Sequence, residues 1–158
     1  MARSALTEMN IYHAGIVTAN EDIYNGNMTT DIVSLANYGG AVFVLVEGAG
    51  GTGTAVVTIE SCDDTTPTTA TAVAFNYAVC TSGNTWGSIT AATSSGFTTT
   101  AGTNQAYAME IRADELSGTD KYVRMVATES ANDPVDGAGL VILVDPKYPA
   151  DPPREAIT

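Results

Sequence analysis

Short runs in which apolar and polar residues alternate dominate the pattern of this chain, and Gly, Pro, Asn, Asp or Ser residues bound each run. A period of two predicts β-strands with one buried face. The alternating runs are residues 54–61, 71–79, 107–113 and 121–128. Residues 41–47 (AVFVLVE) and 139–145 (GLVILVD) are almost wholly apolar, which favours strands in the interior of a sheet.

No segment combines a long helical periodicity with capping residues, whereas residues 32–35 and 97–100 add two weaker strand signals. About eight strands without a long helix predict an all-β fold, and we expect a two-layer antiparallel β-sandwich with a jelly-roll-like topology. A chain of 158 residues is the size of one domain.

The two ends differ from the middle. Residues 1–30 contain scattered apolar side chains without a clear period, which predicts an N-terminal arm or an added strand. Residues 146–158 contain Pro146, Pro149, Pro152 and Pro153 and are therefore expected to form an extended C-terminal tail. The sandwich domain is then predicted to span residues 31–145.

The segment GAGGTG at residues 48–53 matches the glycine spacing of dinucleotide-binding loops. In those loops a helix follows the glycines, because its N-terminal N–H groups hold the pyrophosphate. Here a β-branched, alternating run follows instead. We therefore interpret Gly48, Gly50, Gly51 and Gly53 as a hairpin turn between two antiparallel strands, with Gly50 or Gly51 at a positive φ, and expect no cofactor.

The balance of 18 acidic against 6 basic residues gives a net charge of -12, which argues against a nucleic-acid partner. No apolar stretch reaches the length of about 20 residues that spans a membrane, so no membrane partner is expected. The chain contains a single histidine, His13, which leaves no pattern for a catalytic triad or a zinc site.

Two cysteines, Cys62 and Cys80, are too few for a disulfide framework. If residues 54–61 and 71–79 form a hairpin that turns near Pro67, Cys62 lies opposite about Thr71 and Cys80 opposite about Gly53, far from each other.

Carboxylates are numerous at the predicted strand ends, where they are typical of a solvated surface. Asp133 and Asp136 in the segment NDPVDG are candidate oxygen ligands for calcium, but the D-x-D-x-D-G motif of a calcium loop is absent. We therefore expect no metal site and no catalytic residues, and we expect that the chain is not an enzyme.

What remains is a protein that functions by contact with its neighbours. Extended termini suit this role, because they pair with foreign sheet edges or lie in grooves. As a hypothesis, the apolar and proline residues of the two ends contact a partner or another copy of the chain. These residues are Ile11, Tyr12, Ile23, Tyr24, Tyr148, Pro149, Pro152 and Pro153.

The run AVFVLVEGAGGTGTAVVTIESCDDTTPTTATAVAFNY, followed by AMEIRADELSGTDKYVRMVAT, resembles small virion proteins of tailed bacteriophages, in particular those that decorate or cement the capsid. The resemblance covers residues 32–145. It implies a β-rich, non-enzymatic protein on the outer surface of the capsid, often a trimer at local three-fold axes, which stabilises the head. Its partners would be the major capsid protein and copies of itself.

Two alternatives stay open. The chain is either another β-sandwich of the virion, in the tail tube or associated with a fibre, or a carbohydrate-binding or adhesin module. The latter would use Trp86 with Tyr77 or Tyr107 as a platform on which a sugar stacks. We also expect Trp86 and Phe97, two large side chains in the Thr-rich stretch 80–104, to anchor that stretch to the sandwich.

Overall fold

A computed structural model of the protein describes residues 10–13, 22–50, 52–81, 85–102 and 104–147. In this part of the chain thirteen strands form two antiparallel sheets. Sheet I contains β1 (Asn10–His13), β4 (Tyr38–Gly50), β7 (Phe75–Thr81), β8 (Thr85–Trp86), β9 (Thr90–Ala92), β11 (Gln105–Arg112) and β13 (Val135–Pro146). Sheet II contains β2 (Met28–Thr29), β3 (Val33–Ser34), β5 (Thr54–Cys62), β6 (Ala70–Val73), β10 (Phe97–Thr98) and β12 (Tyr122–Ala131).

The strand order is β1-β13-β4-β11-β7-β8 in sheet I, with β9 beside β7, and β10-β5-β12-β2 in sheet II, with β3 beside β12 and β6 beside β5. The two sheets pack on a common core, which confirms the predicted all-β sandwich. The chain changes sheet between β1 and β2, between β3 and β4, between β4 and β5, between β6 and β7, and at every connection from β9 to β13. The two layers are therefore held together by repeated crossings of the backbone.

Alternation along each strand builds the core. In β5 the side chains of Val57 and Ile59 are fully buried, and in β12 those of Val123 and Met125 are. Met125 lies directly opposite Ile59 in the ladder, so the two share the inner face of sheet II. Burial of each such side chain contributes about 1.5–3 kcal/mol of stability relative to exposure.

The predicted strand 71–79 is two strands. It divides at Ala74, and β6 pairs with β5 whereas β7 belongs to sheet I. The hairpin between β5 and its successor is confirmed, although Cys62 lies opposite Ala70 rather than Thr71. Cys80 lies opposite Ala106 in the other sheet, and both cysteines are free.

The hairpin interpretation of the glycine segment is wrong. Its first strand, β4, belongs to sheet I and its second, β5, to sheet II, so residues 48–53 carry the chain from one layer to the other. Gly50 is the last residue of β4 and lies opposite Val135, while Gly51 lies outside the described residues. Gly53 is required by close packing, because a Cβ atom there would overlap the carbonyl oxygen of Asp133. A strand and not a helix follows, as predicted.

The N-terminal region contributes to the sandwich. Strand β1 pairs with β13 at the edge of sheet I, with Ile11 opposite Ile142. Ile23 and Met28 are buried in the core, so the packed body begins before residue 31. At the other end Pro146 still belongs to β13, opposite Tyr38, and residues 148–158 lie outside the described part.

Candidate interaction face

The side chains of β4 alternate between the core and the opposite side of sheet I. Phe43 and Leu45 are fully buried against sheet II, so Val42, Val44 and Val46 point outward. Val46 exposes 42% of its surface. The outward positions of this central strand are therefore as apolar as the inward ones.

The strands on both sides of β4 continue this apolar surface. Val44 lies opposite Ala108 of β11 and Leu140 of β13, and residues directly opposite each other share a face of the sheet. On β7, Ala78 lies opposite Ala108. We define the outer face of sheet I as Val42, Val44, Val46, Ala78, Cys80, Ala106, Ala108, Ala138, Leu140, Ile142 and Val144, all of them partly or largely exposed.

The dimensions of this face follow from sheet geometry. Strands about 4.8 Å apart with outward residues about 6.8 Å apart give each outward residue a share of roughly 33 Å², so the apolar residues of this face cover an area on the order of 300–400 Å². The largest apolar patch on a typical monomeric protein covers about 300–600 Å² and is often functional. The face is about half of what each partner contributes to a standard interface of roughly 800 Å² per side.

The outer face of sheet II has a different character. Thr58 lies opposite Val126, and Glu60 lies opposite Arg124. The Arg124 guanidinium is 2.7 Å from the Glu60 carboxylate, which makes a partly exposed ion pair. A solvated polar face of this kind is usual for one side of an antiparallel sheet. The apolar face of sheet I is therefore not a general property of this sandwich and indicates a contact surface.

An exposed aromatic residue borders the outer face of sheet I. Trp86 on β8 lies opposite Cys80 and therefore on the same side of the sheet, and it exposes 50% of its surface. Ile89, which follows, exposes 75%. Tryptophan is enriched among the residues that dominate binding energy at protein interfaces, which supports the assignment of this face.

Charged residues lie at the two strand ends of the face. The guanidinium of Arg112 is 2.6 Å from the carboxylate of Asp145 and 3.9 Å from that of Glu110. The hydrogen bond that Arg112 donates to Asp145 raises the pKa of the Arg112 guanidinium. At the opposite end, Asp136 lies on the outer side, because a Cβ atom built on Gly48 would contact the Asp136 Cβ at 4.0 Å.

A buried polar cluster lies beneath the face at the Asp136 end. Glu47 exposes only 2% of its surface and accepts a hydrogen bond from the Tyr24 hydroxyl. The Tyr107 hydroxyl accepts a hydrogen bond from the backbone N–H of Thr100 at 2.9 Å and donates one to Gln105 at 3.0 Å. These polar groups form hydrogen bonds with other groups of the same chain, so the cluster is suited to stabilising the fold.

Burial determines the protonation of this cluster. It raises the pKa of Glu47, while the hydrogen bond from Tyr24 partly offsets the effect. Burial, followed by the hydrogen bond to Glu47, also raises the pKa of Tyr24. Burial raises the pKa of Tyr107 to about 12, so both phenols stay protonated and can donate. The sequence placed Glu47 at a strand end and gave no sign of its burial.

The described residues include only part of the predicted contact set. Ile23 and Tyr24 are almost completely buried, so their side chains are not available at the surface and we no longer assign them a contact with a partner. For Ile11 and Tyr12 the structure describes the pairing of β1 with β13. The remaining contact candidates, Tyr148, Pro149, Pro152 and Pro153, lie outside the described residues.

The predicted sugar platform is not formed as expected. Tyr107 exposes almost no surface, and the Tyr77 ring stacks on Phe97 with centroids 4.1 Å apart. Neither tyrosine therefore forms a stacking platform together with Trp86. Phe97 anchors the Thr-rich stretch to the sandwich, as predicted, whereas the exposed Trp86 does not.

Metal ligands are not grouped in the part of the chain that the structure describes, where no cluster of three or more His, Cys, Asp or Glu side chains is found. Asp133, a member of the weighed calcium pair, accepts hydrogen bonds from the backbone and the hydroxyl of Thr52. None of the helices in the described residues has the length and apolar composition needed to cross a membrane.

The sequence contained a signal for the outer face of sheet I that we interpreted differently. Residues 41–47 and 139–145 are apolar at odd and even positions alike. This pattern predicts strands in the interior of a sheet. In the described residues sheet II covers one side of these strands, and the apolar side chains on the other side are partly exposed.

Comparison with known proteins yields little. No protein-family model matches the chain, and no curated protein does. Among solved structures, the crystal structure of the SPBc2 prophage-derived protein YomS is similar, with a TM-score of 0.43 and 11% sequence identity over 89% of this chain and 99% of that one. At this level of similarity we carry no property of that protein over to this chain.

Proposed function

We propose that this chain is a structural protein of a tailed-phage particle that binds the outer surface of the capsid through the outer face of sheet I and stabilises the head. The observation that carries the proposal is an apolar sheet face flanked by Trp86 on an otherwise strongly acidic protein. The resemblance of residues 32–145 to capsid decoration proteins supplies the class of partner. We further propose that the chain has no enzymatic activity.

The energetics favour many weak contacts on a repeating surface. Burial of about 300–400 Å² of apolar area contributes roughly 8–10 kcal/mol, and association costs an estimated 4–15 kcal/mol in lost motional freedom. One face alone therefore gives modest affinity. On a capsid lattice, additional contacts of the same molecule with adjacent subunits raise the effective affinity.

The test uses phage heads assembled without this chain. Ala108 lies at the centre of the outer face of sheet I, and an Ala108→Arg variant places a long charged side chain there. We expect at least a tenfold loss of binding to these heads, and loss of the added resistance of the heads to thermal release of DNA.

Val126→Arg is the matched control. Val126 occupies a central outward position on sheet II, opposite Thr58, so its replacement adds the same side chain to the other face. This variant is expected to bind like the unmodified chain. If Ala108→Arg binds as tightly as Val126→Arg, the proposed function is wrong.

A carbohydrate-binding function is the second candidate, because the Trp86 ring is half exposed. A glycan array separates the two functions. Sugar binding that Trp86→Ala abolishes and that Ala108→Arg leaves intact would favour the second candidate over capsid binding.

A further inference from the structure

We infer that the outer face of sheet I accepts a different protein, whose contact surface is apolar at its centre and basic at its edge, and does not accept a second copy of this chain. The inference rests on the proposed function in one respect, namely that this face is the contact surface. It adds the chemistry of the partner.

The charge around the face is predominantly negative. Asp145 lies at one strand end and Asp136 at the other, while Glu110 lies on the outer side opposite Val42, at the border of the apolar residues, with Arg112 beside Glu110 and Asp145. Arg112 is already engaged by Asp145 at 2.6 Å. The rows of Val44 and Val46 carry no charge, since their partners on β7, β11 and β13 are Ala, Cys and Leu residues, whereas the row of Val42 contains Glu110.

Self-association would bring these charges together. A two-fold contact places the same patch of both copies face to face, so acidic edges approach acidic edges. Each copy also carries a net charge of -12. Like charges at the edge of an interface disfavour association, whereas Lys or Arg at the edge of a different partner would pair with Glu110, Asp136 and Asp145. Copies arranged around a three-fold axis would meet through their other surfaces.

The experiment reverses the edge charges and leaves the centre unchanged. The double variant Glu110→Lys/Asp136→Lys is compared with Asp31→Lys/Asp64→Lys, which makes the same change in net charge at exposed positions away from the face. The probe is the phage head assembled without this chain. We expect the edge variant to bind at least tenfold more weakly and the control variant to change binding by less than about twofold.

Salt and oligomeric state give independent readouts. The difference between the two double variants should shrink at about 1 M NaCl, where the Debye length falls to about 3 Å. Light scattering of the purified chain should show no self-association that depends on Ala108. Self-association that Ala108→Arg abolishes would overturn the inference, as would equal effects of the edge and control variants.

The failures of the inference and of the proposed function can be told apart. If Ala108→Arg abolishes binding to heads and the edge variant binds normally, the face is the contact surface and its partner is not basic. If neither variant changes binding, the face is not the contact surface and both fail.

Discussion

Removal of the Tyr24 hydroxyl tests whether the buried cluster stabilises the sandwich as its geometry indicates. The hydroxyl donates a hydrogen bond to Glu47, which exposes 2% of its surface. Tyr24→Phe keeps the ring in the core and removes only this donor. The variant therefore leaves a buried carboxyl group with one partner fewer.

The loss of unfolding free energy that we expect for Tyr24→Phe depends on pH. Burial raises the pKa of Glu47 above its ordinary value of 4.5. The stability associated with its protonation is complete below that ordinary value and is lost as the pH rises through the higher folded-state pKa. Because the Tyr24 hydrogen bond lowers the pKa of Glu47, its removal extends this loss to higher pH.

The size of the loss in unfolding free energy depends on whether Glu47, the hydrogen-bond acceptor, is charged. At about pH 4 Glu47 is protonated, and Tyr24→Phe should cost about 1 kcal/mol, the value of a neutral hydrogen bond. At the higher pH at which Glu47 ionises, the cost should rise to about 1.5–3 kcal/mol, which corresponds to a decrease in Tm of roughly 3–12 °C for a chain of this size.

Urea denaturation of the unmodified chain and of the variant at the two pH values measures the free energy of unfolding. Glu47→Gln is the control, because it retains an acceptor for the Tyr24 hydroxyl and does not titrate. In a Glu47→Gln background the effect of Tyr24→Phe should be the same at both pH values. If Tyr24→Phe lowers the free energy of unfolding by the same amount at both pH values in the chain that retains Glu47, the reasoning is refuted.

Two further predictions concern local features of the fold. Gly96 has φ +73°, and a Cβ atom there would overlap the Val57 carbonyl oxygen, whereas Gly118 has φ +57° with open space around it. Gly118→Ala should lower the free energy of unfolding by about 1–2 kcal/mol, and Gly96→Ala should lower it by more. Urea denaturation measures both values, and equal losses would contradict the close packing at Gly96. Burial raises the pKa of Cys62 to about 11, so at neutral pH a thiol reagent should modify the partly exposed Cys80 first and Cys62 only on unfolding; equal rates would contradict this.

The period-two pattern predicted strands well because it reports which side of a strand is buried. For example, residues 54–61 correspond closely to β5, whose buried and partly exposed positions alternate as expected. The partner sheet of each strand is set by contacts between residues far apart in sequence, which this pattern does not record. For that reason the glycine segment at 48–53 looked like a hairpin although it crosses between layers.

The contact surface was harder to predict than the fold. An apolar residue on a strand has the same signature whether it faces a second sheet or a separate protein. Val44 and Phe43 are adjacent and both apolar, yet only Phe43 lies in the core. The buried position of Glu47 was likewise invisible, because its burial depends on Tyr24, which lies 23 residues earlier in the chain.

The buried side chains that stabilise the fold and the side chains of the proposed contact face lie on opposite sides of the same strands. On β4, Glu47 points into the buried cluster while Val46 points to the outer face of sheet I, and on β11 the same holds for Tyr107 and Ala106. The cluster packs beneath β4 and β11, so under the proposed function the outer face is ordered before a partner binds, which lowers the entropic cost of binding. Changes in the cluster should therefore alter the free energy of unfolding, while changes such as Ala108→Arg should alter binding with little effect on stability.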